Sequence, residues 1–194
     1  MWEAGAKPHN LNGGYVCHVL RTYPTIKDEN ISIKDRSIPA TFAVCPTLLR
    51  VDARGNRFMD EGLRLDNLQA SANAMVAAGP YFYTILSQKQ IEEVRAFGMR
   101  GTGIDAPIMD QSMVEHPLEI DYKMENIDDV IKAAIDIGLM YKGDSQEDLA
   151  EMCGMDPAVF SETVKTYNEI CMEKNDTDFF KDRKYLQYLG EEGP

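Results

Sequence analysis

The segment 48–61, Leu48-Leu49-Arg50-Val51-Asp52-Ala53-Arg54-Gly55-Asn56-Arg57-Phe58-Met59-Asp60-Glu61, constrains the fold more than any other. Two short apolar runs flank Arg54-Gly55-Asn56, where glycine and asparagine tolerate the backbone of a tight reversal. The pattern predicts a small β-hairpin. Beyond it Arg57, Asp60, Glu61, Arg64 and Asp66 gather charge, and Leu68-Gln69-Ala70-Ser71-Ala72-Asn73-Ala74-Met75 is small and apolar enough for a closely packed helix. Hairpin, charges and helix, in that order, mark the place where chemistry is expected.

At 194 residues with 44% apolar side chains, the chain has the material for a real core. Its net charge of −12, with no basic stripe among its Lys and Arg residues, argues against a nucleic-acid partner. Cys17, Cys45, Cys153 and Cys171 are widely spaced with no C-x-x-C pair, so reduced, mostly buried thiols are expected and no metal site. No apolar run approaches the ~20 residues of a membrane span. The start has neither the basic residues nor the apolar stretch of a signal peptide.

Along the chain, Tyr15-Val16-Cys17-His18-Val19-Leu20 reads as a strand with His18 as filler, and Ile31-Ser32-Ile33-Lys34 alternates like an edge strand. Pro39 introduces a further extended run, Thr41-Phe42-Ala43-Val44, so the first third is expected to be β-rich. Asp66, or Asn67 next to it, caps a predicted helix to Gly79 whose apolar face is Leu68, Ala72, Met75 and Val76. Pro80 stops it, Tyr81-Phe82-Tyr83-Thr84-Ile85-Leu86 reads as a buried strand, and Ser87 with Gln90 is a capping box for a helix through Phe97. The stretch 98–125 is predicted to be mostly loop. Its Gly101-Thr102-Gly103 lacks the preceding strand, glycine fingerprint and lysine of a phosphate cradle. Met99, Met109, Met113 and Met124 read as core filler, with an adaptable substrate wall as the alternative.

A helix is predicted from Asn126 to Gly138, a short strand at 139–142, a helix opened by Ser145 and closed by Gly154, and a last helix capped by Asp156 with Pro157 at its first position. Phe160, Val164, Tyr167, Ile170 and Cys171 form its apolar stripe. No repeat or low-complexity linker divides the chain, which reads as one α+β domain. Trp2-Glu3-Ala4-Gly5-Ala6 resembles the last turn of a helix, and Gly190-Glu191-Glu192-Gly193-Pro194 halts on turn residues, so an excised piece of a larger protein is expected.

Three stretches together resemble a known family. The first is Leu49-Arg50-Val51-Asp52-Ala53-Arg54-Gly55-Asn56-Arg57-Phe58-Met59-Asp60-Glu61, similar to a V-N-x-x-G-x-R-F-x-(N/D)-E segment. The second is Asp148-Leu149-Ala150, Met155-Asp156-Pro157, Thr163-Val164, Tyr167-Asn168-Glu169 and Asp176-Thr177-Asp178-Phe179, similar to an L-A-x-x-x-G-x-D-P … T-V-x-x-Y-N … D-x-D-F run. The third is the pair of ends. Both patterns are those of the FAD-dependent fumarate reductase and succinate dehydrogenase flavoprotein superfamily. The resemblance implies its capping, or substrate-binding, domain over 1–194, with 1–12 and 186–194 as junctions to an FAD-binding domain. No G-x-G-x-x-G occurs in the sequence, so FAD would be bound by that other domain, which is the implied partner together with a small unsaturated substrate.

In fumarate reductases the cap supplies a proton-donating arginine one residue before an aspartate, a Glu and Arg relay upstream, and a His before Pro-Thr that grips substrate. The donor position falls on Leu65 here, with Arg64 one residue early, a shift that turns a helical side chain by ~100°. The relay falls on Thr41 and Val44, and the gripping His on Tyr23 of Tyr23-Pro24-Thr25. The resemblance therefore implies catalytic roles for Arg64 and Tyr23, substrate contacts at Tyr23, Thr25 and Thr41, and a structural ion pair between Arg57 and Glu61. The implied activity is hydride transfer between flavin N5 and the activated C=C bond of an enoate or enone, less charged or larger than fumarate. The alternative is a degenerate, non-catalytic cap or interaction module.

Overall fold

The computed structural model describes residues 26–102 and 121–190. The strand expected at 15–20 and most of the loop after Thr102 lie outside them. The order is α1 (Ile33–Arg36), α2 (Ile38–Val44), β1 (Leu49–Val51), α3 (Leu63–Asp66), α4 (Leu68–Ala78), β2 (Tyr83–Ile85), α5 (Gln88–Phe97), a 3-10 turn (Gly98–Thr102), α6 (Ile127–Asp136), α7 (Gln146–Cys153), α8 (Pro157–Glu173) and a second 3-10 turn (Arg183–Tyr185). The described residues are mostly helical, with two antiparallel strands registered Leu49 to Ile85, Arg50 to Thr84 and Val51 to Tyr83.

Local end signals account for the longer helices. Ser87 and Gln90 close a reciprocal capping box at the start of α5. Ser145 accepts the Asp148 amide at the start of α7, and Gly154 ends that helix in the left-handed conformation. Asp156 accepts the amides of Ala158 and Val159, and Pro157 opens α8. Asn67 caps α4 by accepting the Ala70 amide, whereas Asp66 closes α3.

Three expected strands are not formed. Ser32 caps α1 by accepting the Asp35 amide, so 33–36 coils instead of extending, and Pro39 sits in the first turn of α2, so 38–44 is helical too. The reason is tertiary: Ile31, Ile38, Phe42, Cys45 and Leu48 are buried together with Val94 of α5, with Met124, and with Ile127, Val130 and Ala134 of α6. At 139–142 no strand forms, because the Leu139 and Met140 amides bond back to the Ala134 carbonyl as the end of α6. The hairpin at 48–61 is reduced to a tight turn with one bridge, Val51 to Arg57, and the three-residue ladder of β1 goes to β2 instead. The strand expected over 81–86 is only half buried, and Val76 of α4 faces solvent.

A second core joins the sheet to the C-terminal helices. Leu49 and Val51 of β1 and Ile85 of β2 meet Leu149 and Ala150 of α7, Phe160, Val164, Tyr167 and Cys171 of α8, and Leu189. The two-residue period of a strand explains the division, since Leu48 turns to the first core while Leu49 and Val51 turn to the second. Gly55, at φ +95°, brings the turn against α8: a Cβ there would stand 3.0 Å from Phe160 Cβ and 3.1 Å from Phe160 Cα.

Candidate functional site

The turn is built by Asp52, whose carboxylate accepts the amides of Arg54 and Asn56 at 2.9 Å each. Burial pushes its pKa up, but those amides and the nearby Arg54 hold it below the usual aspartate value. Closing the turn presents Arg57 toward the interior.

There Arg57 makes a forked pair with Glu61, Nε to Oε1 and Nη2 to Oε2 at 3.0 Å each, and Nη2 also reaches Asp176 Oδ2 at 2.8 Å. Lys181 Nζ lies 2.9 Å from Glu61 Oε2 and 3.0 Å from the Tyr167 hydroxyl, which donates to the Thr47 carbonyl. The Arg50 amide donates to Glu61 Oε1. Arg57 Nη1 has no hydrogen-bond partner, and the guanidinium stands over the rings of Tyr167 and Phe179, with centroids 5.2 and 5.0 Å away. Two cations thus face two anions, and the Glu61, Asp176 and Lys181 side chains are fully enclosed.

Burial pushes the Glu61 carboxyl up, but the charges of Lys181 and Arg57 win and hold it below the usual range. Asp176 is likewise held down, by Arg57 and the amides of Phe179 and Lys181 against the effect of burial. Burial pulls the Lys181 ammonium below the usual lysine value and lifts the Tyr167 hydroxyl well above the usual tyrosine value. For the two carboxylates the folded value lies under the ordinary 4.5 and 3.8, so the unfolded chain binds more protons in acid. Their stabilisation is complete above those ordinary values and is lost as the pH falls toward the folded ones. The thermal midpoint should therefore fall below about pH 4.5, and in Asp176→Asn that acid slope should be shallower; a series of melts that shows the same slope in both proteins would contradict the assignment.

Among the described residues the four charged side chains of this cluster are buried, and their chemistry is that of a clamp. It gathers the stretches that carry the family resemblance: Arg57 and Glu61 from the first, Tyr167, Asp176 and Phe179 from the second. Asn168 adds a tie, accepting the Leu189 amide at 3.0 Å and donating to the Gly190 carbonyl at 3.1 Å.

The structure brings Arg57 and Glu61 together, and places Arg64 on α3, three residues past Glu61. Leu65 beside it is 52% exposed and Val76 of α4 is 62% exposed, so this helical pair presents apolar side chains to solvent. Thr41 is buried in α2 with its hydroxyl donating back to the Ser37 carbonyl at 3.1 Å. Tyr23 and Thr25 lie outside the described residues. Lys181 is the participant that sequence reasoning missed: it follows Asp176-Thr177-Asp178-Phe179-Phe180 in a charged tail, and nothing in the local pattern separates it from its exposed neighbours Arg183 and Lys184. Among the described residues no group of His, Cys, Asp and Glu side chains gathers as metal ligands, and no helix is long and apolar enough to cross a membrane.

No family model matches the chain. A solved structure similar to it is the solution NMR structure of the fumarate reductase flavoprotein subunit from Lactobacillus plantarum, at 19% sequence identity, covering 89% of this chain and 90% of that one, with a TM-score of 0.48.

Proposed function

We propose that the chain is the substrate-capping domain of an FAD-dependent oxidoreductase that reduces, or forms, an activated C=C bond in an enoate or enone. The observation that carries the reading is the convergence just described: stretches resembling the family's motifs, far apart in sequence, meet in one buried cluster of Arg57, Glu61, Tyr167 and Asp176. Chance matches to separate motifs have no reason to share a contact.

The described residues do not fit a flavin dinucleotide. The N-termini of α4, α5, α7 and α8 are occupied by their own caps, Asn67, Ser87, Ser145 and Asp156, and α6 carries Asp128 and Asp129 in its first turn, where a pyrophosphate would be repelled. In this proposal FAD would be held by another domain of the complete polypeptide, which would supply the hydride chemistry. The cap's part is to cover the substrate, exclude water and move the proton at the carbon next to the one that exchanges hydride. Arg64, in α3, is the proposed proton donor, with Tyr23 as an alternative donor and Tyr23 and Thr25 as substrate contacts. Thr41, enclosed in α2, is left with a packing role. A cap without ene-reductase activity is the second reading, favoured by Leu65 at the family's donor position and by Thr41 and Val44, which cannot titrate, at the relay.

The test uses the complete polypeptide, reduced without oxygen and mixed with fumarate and a panel of enoates and enones. Reoxidation of the flavin absorbance by at least one compound is expected, and none by any of them favours the second reading. Arg64→Lys should cut that turnover by about 10² or more; near-normal turnover would remove Arg64 from the site.

A further inference from the structure

We infer that Lys181 and Tyr185, acting through Glu61 and Gly62, are positioning residues for Arg64, so that the segment 176–185 sets the stance of the helix carrying the proposed donor; the inference rests on the reading of Arg64 above. The helix α3 is a single turn, Leu63–Asp66, too short to hold itself in water. Its place comes from what is tied to its start. The Glu61 carboxylate takes the Arg50 amide, two Arg57 nitrogens and the Lys181 ammonium. Asp60 Oδ1 accepts the Gly62 amide at 2.7 Å, and the Asp60 carbonyl accepts the Leu63 amide at 3.2 Å. Gly62 lies under the Tyr185 ring so closely that a Cβ would stand 2.8 Å from Tyr185 Cδ2.

Lys181 and Tyr185 belong to one stiff piece of chain. Asp176 accepts the amides of Asp178, Phe179 and Lys181, and Asp182 opens the 3-10 turn by accepting the Lys184 amide. The residue pair Glu61-Gly62 is therefore gripped twice from that piece, once by charge and once by shape. A slip of the chain at Gly62 would shift the backbone of α3 that carries Arg64, and misplacement of about 1 Å costs on the order of 10²-fold in rate.

The test compares Tyr185→Leu and Tyr185→Phe in the complete, flavin-loaded protein. Two readouts are taken: amide hydrogen exchange at Leu63, Leu65 and Asn67, and kcat and KM on the first panel compound that reoxidises the reduced flavin. Tyr185→Leu should speed exchange at those amides about tenfold or more while α8 exchanges as before, and lower kcat about tenfold or more with little change in KM. Tyr185→Phe, which keeps the ring, should restore both. Unchanged exchange and kcat in Tyr185→Leu overturn the inference, and if that variant does not fold, Lys181→Arg, which keeps the charge and alters the reach, is read the same way. Near-normal turnover in Arg64→Lys overturns the reading of Arg64 and the positioning role with it. A slow Arg64→Lys beside an unaffected Tyr185→Leu overturns the positioning role alone.

Discussion

Glu61→Gln, which keeps the side chain's volume and removes its charge, should destabilise the chain by about 3–5 kcal/mol, as loss of one partner from a buried ion set does. The substitution leaves Arg57 with its Asp176 pair alone and encloses Lys181 without its salt-bridge partner, and turns an acceptor of four hydrogen-bonded donors into a group that must also place two of its own N–H bonds. Against a total stability of about 5–15 kcal/mol, that is a large fraction of what holds the chain folded. Urea titration followed by far-UV circular dichroism measures the loss. Adding Lys181→Met, which withdraws the cation left over, should recover part of it, because an apolar replacement of similar reach removes the uncompensated charge. A single variant within about 1 kcal/mol of wild type would show that water or relaxation replaces the clamp.

Phe160→Ala should cost a similar amount, about 3–5 kcal/mol. Phe160 is fully buried in the first turn of α8, among the side chains of β1, α7 and α8, and the turn at Gly55 rests on its backbone. That backbone contact limits how far the surroundings can collapse into the space left, so the cavity term stays large. Phe160→Leu, which keeps most of the volume, should lose less than half as much. Equal losses in the two variants, measured by the same titration, would mean that ring shape rather than filled volume sets the stability there.

What was legible in the sequence was what a few adjacent residues decide. Ser87 with Gln90, Ser145 before Gly154, and Asp156 with Pro157 each satisfy or terminate backbone groups within one turn, and the helices stand where those signals put them. The stripe of α8 was legible because a 17-residue helix repeats its period often enough to be counted. In contrast, 31–34 and 41–44 hold too few residues to tell alternation from helical spacing, and burial against α5 and α6 decided the matter. The same distinction governs the candidate site. Arg57 and Glu61, four apart, were readable as a pair; Lys181 was not, because its partner is far away in the chain and its neighbours are ordinary surface charges.

The separation of those partners also bears on how the molecule is made. Arg57 and Asp176 are 119 positions apart, and Lys181 reaches back 134 positions to Thr47. A ribosome that has released the chain as far as α5 has exposed both halves of the Arg57–Glu61 pair but neither Asp176 nor Lys181. Long-range closure of this kind is slow relative to local helix formation, so the nascent chain carries an Arg57–Glu61 pair without its Asp176 and Lys181 partners, and a β1 without its α7 and α8 cover, until its last quarter emerges. Truncation before residue 181 should accordingly leave a chain that chaperones retain and that does not settle into the native fold.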